Sequence, residues 1–106
     1  MYLILLHYKK DLRTVDSYAP DHVTFLQKHY DLGHFLLSGR RIPRTGGVII
    51  VRAENEEAVR AIISEDPFAI HDVTAYEIIP FIASMTSPEL AAYREEIPGS
   101  GSQEGK

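Results

Sequence analysis

The chain has 106 residues, 44% of them hydrophobic, which is enough for one packed domain and too few for two. A formal net charge of -4 argues against the clustered basic surface that nucleic-acid binding needs, with Arg40, Arg41 and Arg44 a small local exception, and the absence of cysteine excludes disulfides, thiolate catalysis and cysteine-ligated zinc or iron–sulfur centres. The apolar start, Met1 to His7, is too short to span a bilayer and lacks the features of a signal peptide, so a soluble, cytoplasmic protein is expected. Tyr2 to Tyr8 alternates with apolar residues on both faces and reads as a first strand buried on two sides. A first helix is expected from about Ser17 to Leu32, with Ser17 as N-cap, Pro20 in the first turn and Gly33 as terminator. Its inward face would be Val15, Tyr18, Ala19, His22, Phe25, Leu26 and His29, at the 3.6-residue spacing of an amphipathic helix. Phe35 to Arg41 is a second strand in which Gly39 suggests a bulge or a close approach. The Ile42–Gly47 turn leads into a hairpin partner from Gly47 to Ala53. Asn55 caps a second helix whose inward side is Ala58, Val59, Ile62 and Ile63, and Asp66 before Pro67 stops it. Val73 to Ile82 is a fourth strand, again apolar on both faces. Ser87 to Tyr93 reads as a short C-terminal helix, and residues 98–106 as a flexible Gly/Ser-rich tail following a domain over 1–97.

The order β-α-β-β-α-β is the split βαβ of ferredoxin-like α+β folds, with both helices on one side of the sheet. The other side would then be bare and apolar, which soluble monomers avoid. A homodimer through that sheet face, about a two-fold axis, is therefore expected, with room for higher assembly.

The chemistry concentrates on His22. An imidazole on an inward helix face needs a hydrogen-bond partner, and Asp66 in Asp66-Pro67-Phe68 is a candidate. A carboxylate on one ring nitrogen fixes the tautomer and raises basicity, which leaves the other nitrogen to move a proton. The competing reading is a satisfied core histidine and an ordinary helix-ending Asp-Pro. Ser38 could donate to a substrate oxygen beside Gly39, where a ligand could approach the backbone, or it could simply be a hydrogen-bonded strand serine. Tyr8 and Phe68 are substrate-binding candidates that could equally be core-edge residues. Arg40, Arg41 and Arg44 either draw an anion to the cleft mouth or protect a strand edge. Gly46-Gly47 precedes a strand and lacks the phosphate-loop pattern. No metal is expected: His22 and His29 lie two turns apart, about 10 Å along a straight helix.

Taken in order, the opening strand Tyr2–Tyr8, His22 followed by Phe25-Leu26, Leu37-Ser38-Gly39, Gly46-Gly47-Val48-Ile49-Ile50, Asp66-Pro67-Phe68 and Tyr76-Glu77-Ile78 resemble the YciI-like proteins. These carry the YCII-related domain and belong to the dimeric α+β barrel superfamily. The resemblance covers about residues 1 to 82. It implies a dimer with a cleft on each subunit and an active-site pair that falls on His22 and Asp66. Relatives linked to aromatic-compound degradation include a dehydrochlorinase of a chlorinated hydroxyquinol, and the superfamily also holds muconolactone isomerases and cofactor-independent monooxygenases. The leading expectation is general acid/base chemistry of lyase, dehydrochlorinase or isomerase type on a small organic, aromatic substrate, with no cofactor. The alternatives are a non-catalytic dimeric module for a metabolite or partner, and a cofactor-free monooxygenase.

Overall fold

A computed structural model of the chain describes residues 1–98. The elements run β1 (Tyr2–Tyr8), α1 (Leu12–Asp31), β2 (Phe35–Arg40), β3 (Gly46–Val51), α2 (Glu56–Ile63), α3 (Pro67–Ile70) and β4 (Thr74–Pro80), followed by a 3₁₀ helix at Pro88–Tyr93. The four strands form one antiparallel sheet in the order β2-β3-β1-β4, so β1 lies between β3 and β4. This is the α+β, ferredoxin-like architecture expected from the sequence. The expected tail lies outside the described residues apart from Pro98. No helix among the described residues is long and apolar enough to cross a membrane.

The first helix differs from expectation at its start. It begins at Leu12, not near Ser17, and the cap is Asp11, whose side chain accepts a hydrogen bond from the Thr14 backbone N–H at 2.9 Å. That bond holds the Asp11 carboxyl below its ordinary range. Ser17 lies inside the helix and donates to the Thr14 carbonyl. Pro20 therefore sits mid-helix, where it withholds one N–H. Pro20 and Asp16 are both on the exposed side, so the carbonyl deprived of its partner can be hydrated. The inward face is as expected, with Val15, Phe25 and His29 buried and Tyr18, Ala19, His22 and Leu26 half-buried.

The core lies between the helices and one face of the sheet. Ile4 and Leu6 of β1 and Ile49 and Val51 of β3 meet Val15 and Phe25 of α1, Val59 and Ile62 of α2, and Phe68 of α3. Each such burial contributes about 1.5–3 kcal/mol. The opposite face carries Leu3, Leu5, Leu37, Val48, Ile50 and Ile79. In this face Leu3 pairs with Ile50 and Ile79, and Leu5 with Val48 and Glu77. Leu37 is 52% exposed and Ile79 37%. Leu3 and Leu5 are half-buried, and at the far end of β3 Tyr93 of the 3₁₀ helix meets Arg52.

Three further details depart from the sequence reading. The β2 bulge falls at Leu36, where the register shifts between Phe35 and Leu37, whereas Gly39 pairs regularly with Val48. β4 is shorter than expected and ends at Pro80. The segment after α2 is not merely a stop, because Asp66 opens the separate short helix α3 by accepting from the Phe68 backbone N–H at 3.0 Å.

Gly46 is the position at which a glycine is obligatory. A Cβ there would lie 1.7 Å from the Leu6 carbonyl oxygen, which is backbone and cannot yield. Gly46→Ala must therefore part β1 from β3 at the end that carries the cavity described below. A loss of about 3 kcal/mol or more is expected, read as a lower urea midpoint with an unchanged slope. Gly39→Ala serves as the control, since nothing lies within 4 Å of its Cβ position.

Candidate active site

His22 stands on the inward side of α1, six residues beyond Asp16. Its Nδ1 donates to Asp66 Oδ1 at 2.8 Å, a contact across 44 residues of sequence. Asp66 is wholly buried, while the His22 side chain keeps 14% exposure. Phe68, two residues after Asp66, stacks on the imidazole with centroids 4.0 Å apart and planes 8° from parallel. The ring is therefore fixed by a hydrogen bond at its edge and an aromatic plane on its face. Nε2 makes no hydrogen bond among the described residues.

Asp66 is saturated. Oδ1 accepts from His22 and from the Phe68 backbone, and Oδ2 accepts from the Tyr76 hydroxyl at 2.6 Å. Burial, and then the charge of Asp66 and the bond to it, push the Tyr76 phenol far above its ordinary value, so Tyr76 stays a donor. The sequence reading missed this role: in β4 the alternation marks Tyr76 only as inward, and nothing local says what its hydroxyl meets.

His22 lines a cavity of about 220 Å³ between α1 and the β2–β3 end of the sheet. Leu6, Val15, Leu26 and Ile49 give it apolar walls. The other candidates, Tyr8, Ser38, Gly39 and Phe68, all line the same space. Ser38 is already engaged, because its hydroxyl and that of Tyr30 are 2.6 Å apart, and Tyr30 was not expected to play any part. Tyr8 meets Phe68 edge-on, with centroids 6.1 Å apart.

The arginine cluster divides. Arg40 and Arg44 line the cavity, whereas Arg41 donates to His7 Nδ1 at 3.0 Å. Arg44 also donates through Nη2 to Asp16 of α1. That bond lowers the Asp16 carboxyl below its ordinary range and holds the guanidinium charged.

A second histidine on the same helix face has a different setting. His29 is 2% exposed, and its Nε2 donates to Glu65 Oε1 at 2.8 Å. A neutral His29 then accepts at Nδ1 from His34 Nδ1, 2.9 Å away. Glu65 also accepts from Lys28, and these bonds, that from Lys28 foremost, hold its carboxyl below the ordinary range. Both nitrogens of His29 are thus used and it lines no described cavity, so this pair locks α1 to the end of α2. His22 and His29 take separate carboxylates from adjacent positions, 66 and 65.

A small apolar cavity with one ring nitrogen on its wall can move a proton to or from an enclosed ligand. Comparison with known proteins places the chain in a family. No curated protein sequence matches the chain. Among solved structures, it is similar to 5-chloro-2-hydroxyhydroquinone dehydrochlorinase (TftG) from Burkholderia phenoliruptrix AC1100, in a complex with 2,5-dihydroxybenzoquinone. The TM-score is 0.65 at 16% identity, over 76% of this chain and 93% of that one, a likeness of fold. A family model described as the YCII-related domain matches residues 1–82, which hold every strand and α-helix and both members of the His22–Asp66 pair. The chain belongs to the YCII-related domain family.

Proposed function

We propose that this protein is a YciI-like enzyme that performs general acid/base chemistry on a small aromatic substrate, with His22 as the proton-transferring group and Asp66 as its positioning partner. The observation that carries this reading is the 2.8 Å bond from His22 Nδ1 to a wholly buried carboxylate, made by a ring that also lines a cavity. With Nδ1 donating to Asp66, the lone pair of a neutral imidazole is on Nε2, the nitrogen with no partner among the described residues. In an elimination, Nε2 would accept a proton from the substrate. The electron pair of the broken bond moves into the ring, and the leaving group departs with its own bonding pair. In an isomerisation no group departs, and His22 returns the proton to a different carbon of the same molecule.

Purified protein is tested for chloride release from 5-chloro-2-hydroxyhydroquinone, the compound named for the structural neighbour, and for isomerisation of small unsaturated lactones by ultraviolet absorbance. Turnover of either above the buffer rate supports the proposal. Oxygen uptake with the same phenols would instead favour a cofactor-free oxygenase.

A second reading, a non-catalytic metabolite-binding module, draws on the structural part played by Asp66, whose three bonds tie α1, α3 and β4 together. Histidine titration by NMR separates the two. A purely structural His22 stays silent near neutral pH, whereas a working one titrates and responds to ligand.

The bare sheet face belongs to the same proposal as the contact with a second copy. Its row is apolar except at one end, where Arg41 donates to His7 Nδ1 at 3.0 Å and His7 Nε2 bonds to Glu77 at 3.2 Å, so the Arg41 and Glu77 charges answer each other within one copy. Light scattering is expected to give a dimer for the wild type and a monomer for Leu5→Arg. A monomeric wild type at micromolar concentration would refute this contact.

A further inference from the structure

We propose that Arg44 is a substrate-binding residue and that the cavity takes a small organic anion, its charged oxygen held by the Arg44 guanidinium. This rests on reading the cavity as an active site and adds the charge of its ligand.

The first support is an incomplete hydrogen-bond set. Arg44 Nη2 is bound to Asp16, but Nε is shielded from solvent and has no hydrogen-bond partner. Buried donors are nearly always satisfied, and a charged one especially so. Arg44 lines the cavity beside Tyr8, and a turn of its guanidinium would bring that donor to an acceptor inside it. A carboxylate or phenolate oxygen suits a guanidinium edge.

The second support is charge. The chain carries a net -4, yet the cavity wall holds Arg40 and Arg44 and no carboxylate. Asp66 sits behind His22 and Asp16 lies outside the lining. Asp16 offsets part of this charge from outside the lining, and the low-dielectric walls focus the remainder on a ligand that enters.

The third support is layout. Asp16, which anchors Arg44, precedes His22 by six residues, about 9 Å along the axis of α1. A ligand can thus reach both the imidazole and the guanidinium while its ring fills the apolar middle. Removing a proton at one end of a conjugated ring builds charge on an oxygen at the other, where a fixed cation stabilises it.

The test is calorimetric binding of two matched pairs: benzoate against benzamide, and 4-nitrophenolate against 4-nitroanisole, at a pH where the phenol is ionised. Benzoate and the phenolate distinguish carboxylate from phenolate as the preferred anion. The wild type should bind at least one anion about tenfold more tightly than its neutral partner. Arg44→Met should remove that preference and leave the neutral ligand unaffected, a result that lost folding would not give. Asp16→Asn alters only an exposed site, keeps an acceptor for Nη2 and removes the competing charge; it should strengthen anion binding. Equal affinity for charged and neutral probes in the wild type, no binding of either anion, or an unchanged preference in Arg44→Met would overturn the assignment. Failure of the acid/base reading looks different: anions would bind through Arg44 while no substrate turns over. His22→Ala should retain the anion preference.

Discussion

Replacing His22 by alanine is expected to lower turnover by about 10²–10⁴-fold while the protein stays folded, because the group that carries the proton is gone and the packed core is not. The substitution also removes one of the three donors to Asp66 and the plane against Phe68. A stability loss of about 1–2 kcal/mol should accompany it. His22→Asn sharpens the test. An asparagine can still donate to Asp66, yet it cannot exchange a proton near neutral pH, so this variant should be nearly as inactive and closer to wild type in stability. Chloride release or lactone isomerisation, measured beside urea unfolding, reads both quantities. Full activity in either variant would remove His22 from the chemistry.

Asp66→Ala should produce the largest change in stability. The Tyr76 hydroxyl and the Phe68 backbone N–H would both lose an acceptor in a place closed to water, and His22 would lose its anchor. Breaking a buried network by removing its charged member costs about 3–5 kcal/mol. That is a large part of the stability of a small domain, and a fall in Tm of about 15 °C or more should follow. Asp66→Asn keeps one acceptor oxygen and can still cap α3, but its amide must face a donor on the other side. It should therefore be intermediate in stability and still impaired in turnover. If Asp66→Ala melted like the wild type, the three bonds would not be holding α1, α3 and β4 together.

Part of the site was legible because it follows from local periodicity. The inward face of α1 repeats every three to four residues, so His22 could be placed among Phe25, Leu26 and Val15 without knowing the fold. The same reading put His29 on that face, and both histidines did prove to need partners. Which carboxylate each would find was open to guesswork from the residues alone; Asp66 was named for His22, whereas Glu65 was not named for His29. Tyr76 was hidden because strand alternation gives a side and no more. Arg44 was hidden within a cluster of three arginines, because turn geometry decides that it and Arg40 line the cavity while Arg41 does not. The start of α1 was misplaced because Pro20 looked like a first-turn residue. The apolar face from Val15 and the Asp11 cap extended the helix across it, and its place on the wet side made that tolerable.

By itself, the sequence determined the four strands, the two longer helices and their order, the helix face that carries His22 and the absence of cysteine chemistry, since each is written in the spacing and types of nearby residues. Only the tertiary structure decided that Asp66 has three partners, that Ser38 is tied to Tyr30, and that Arg44 lines the His22 cavity while Arg41 turns to His7. The physical reason is that a buried polar group takes its partners from whatever the chain brings within about 3 Å. In a four-stranded sheet with crossing helices those neighbours come from other elements, 8 residues away for Tyr30 and Ser38 and 44 for His22 and Asp66, where no local pattern records them.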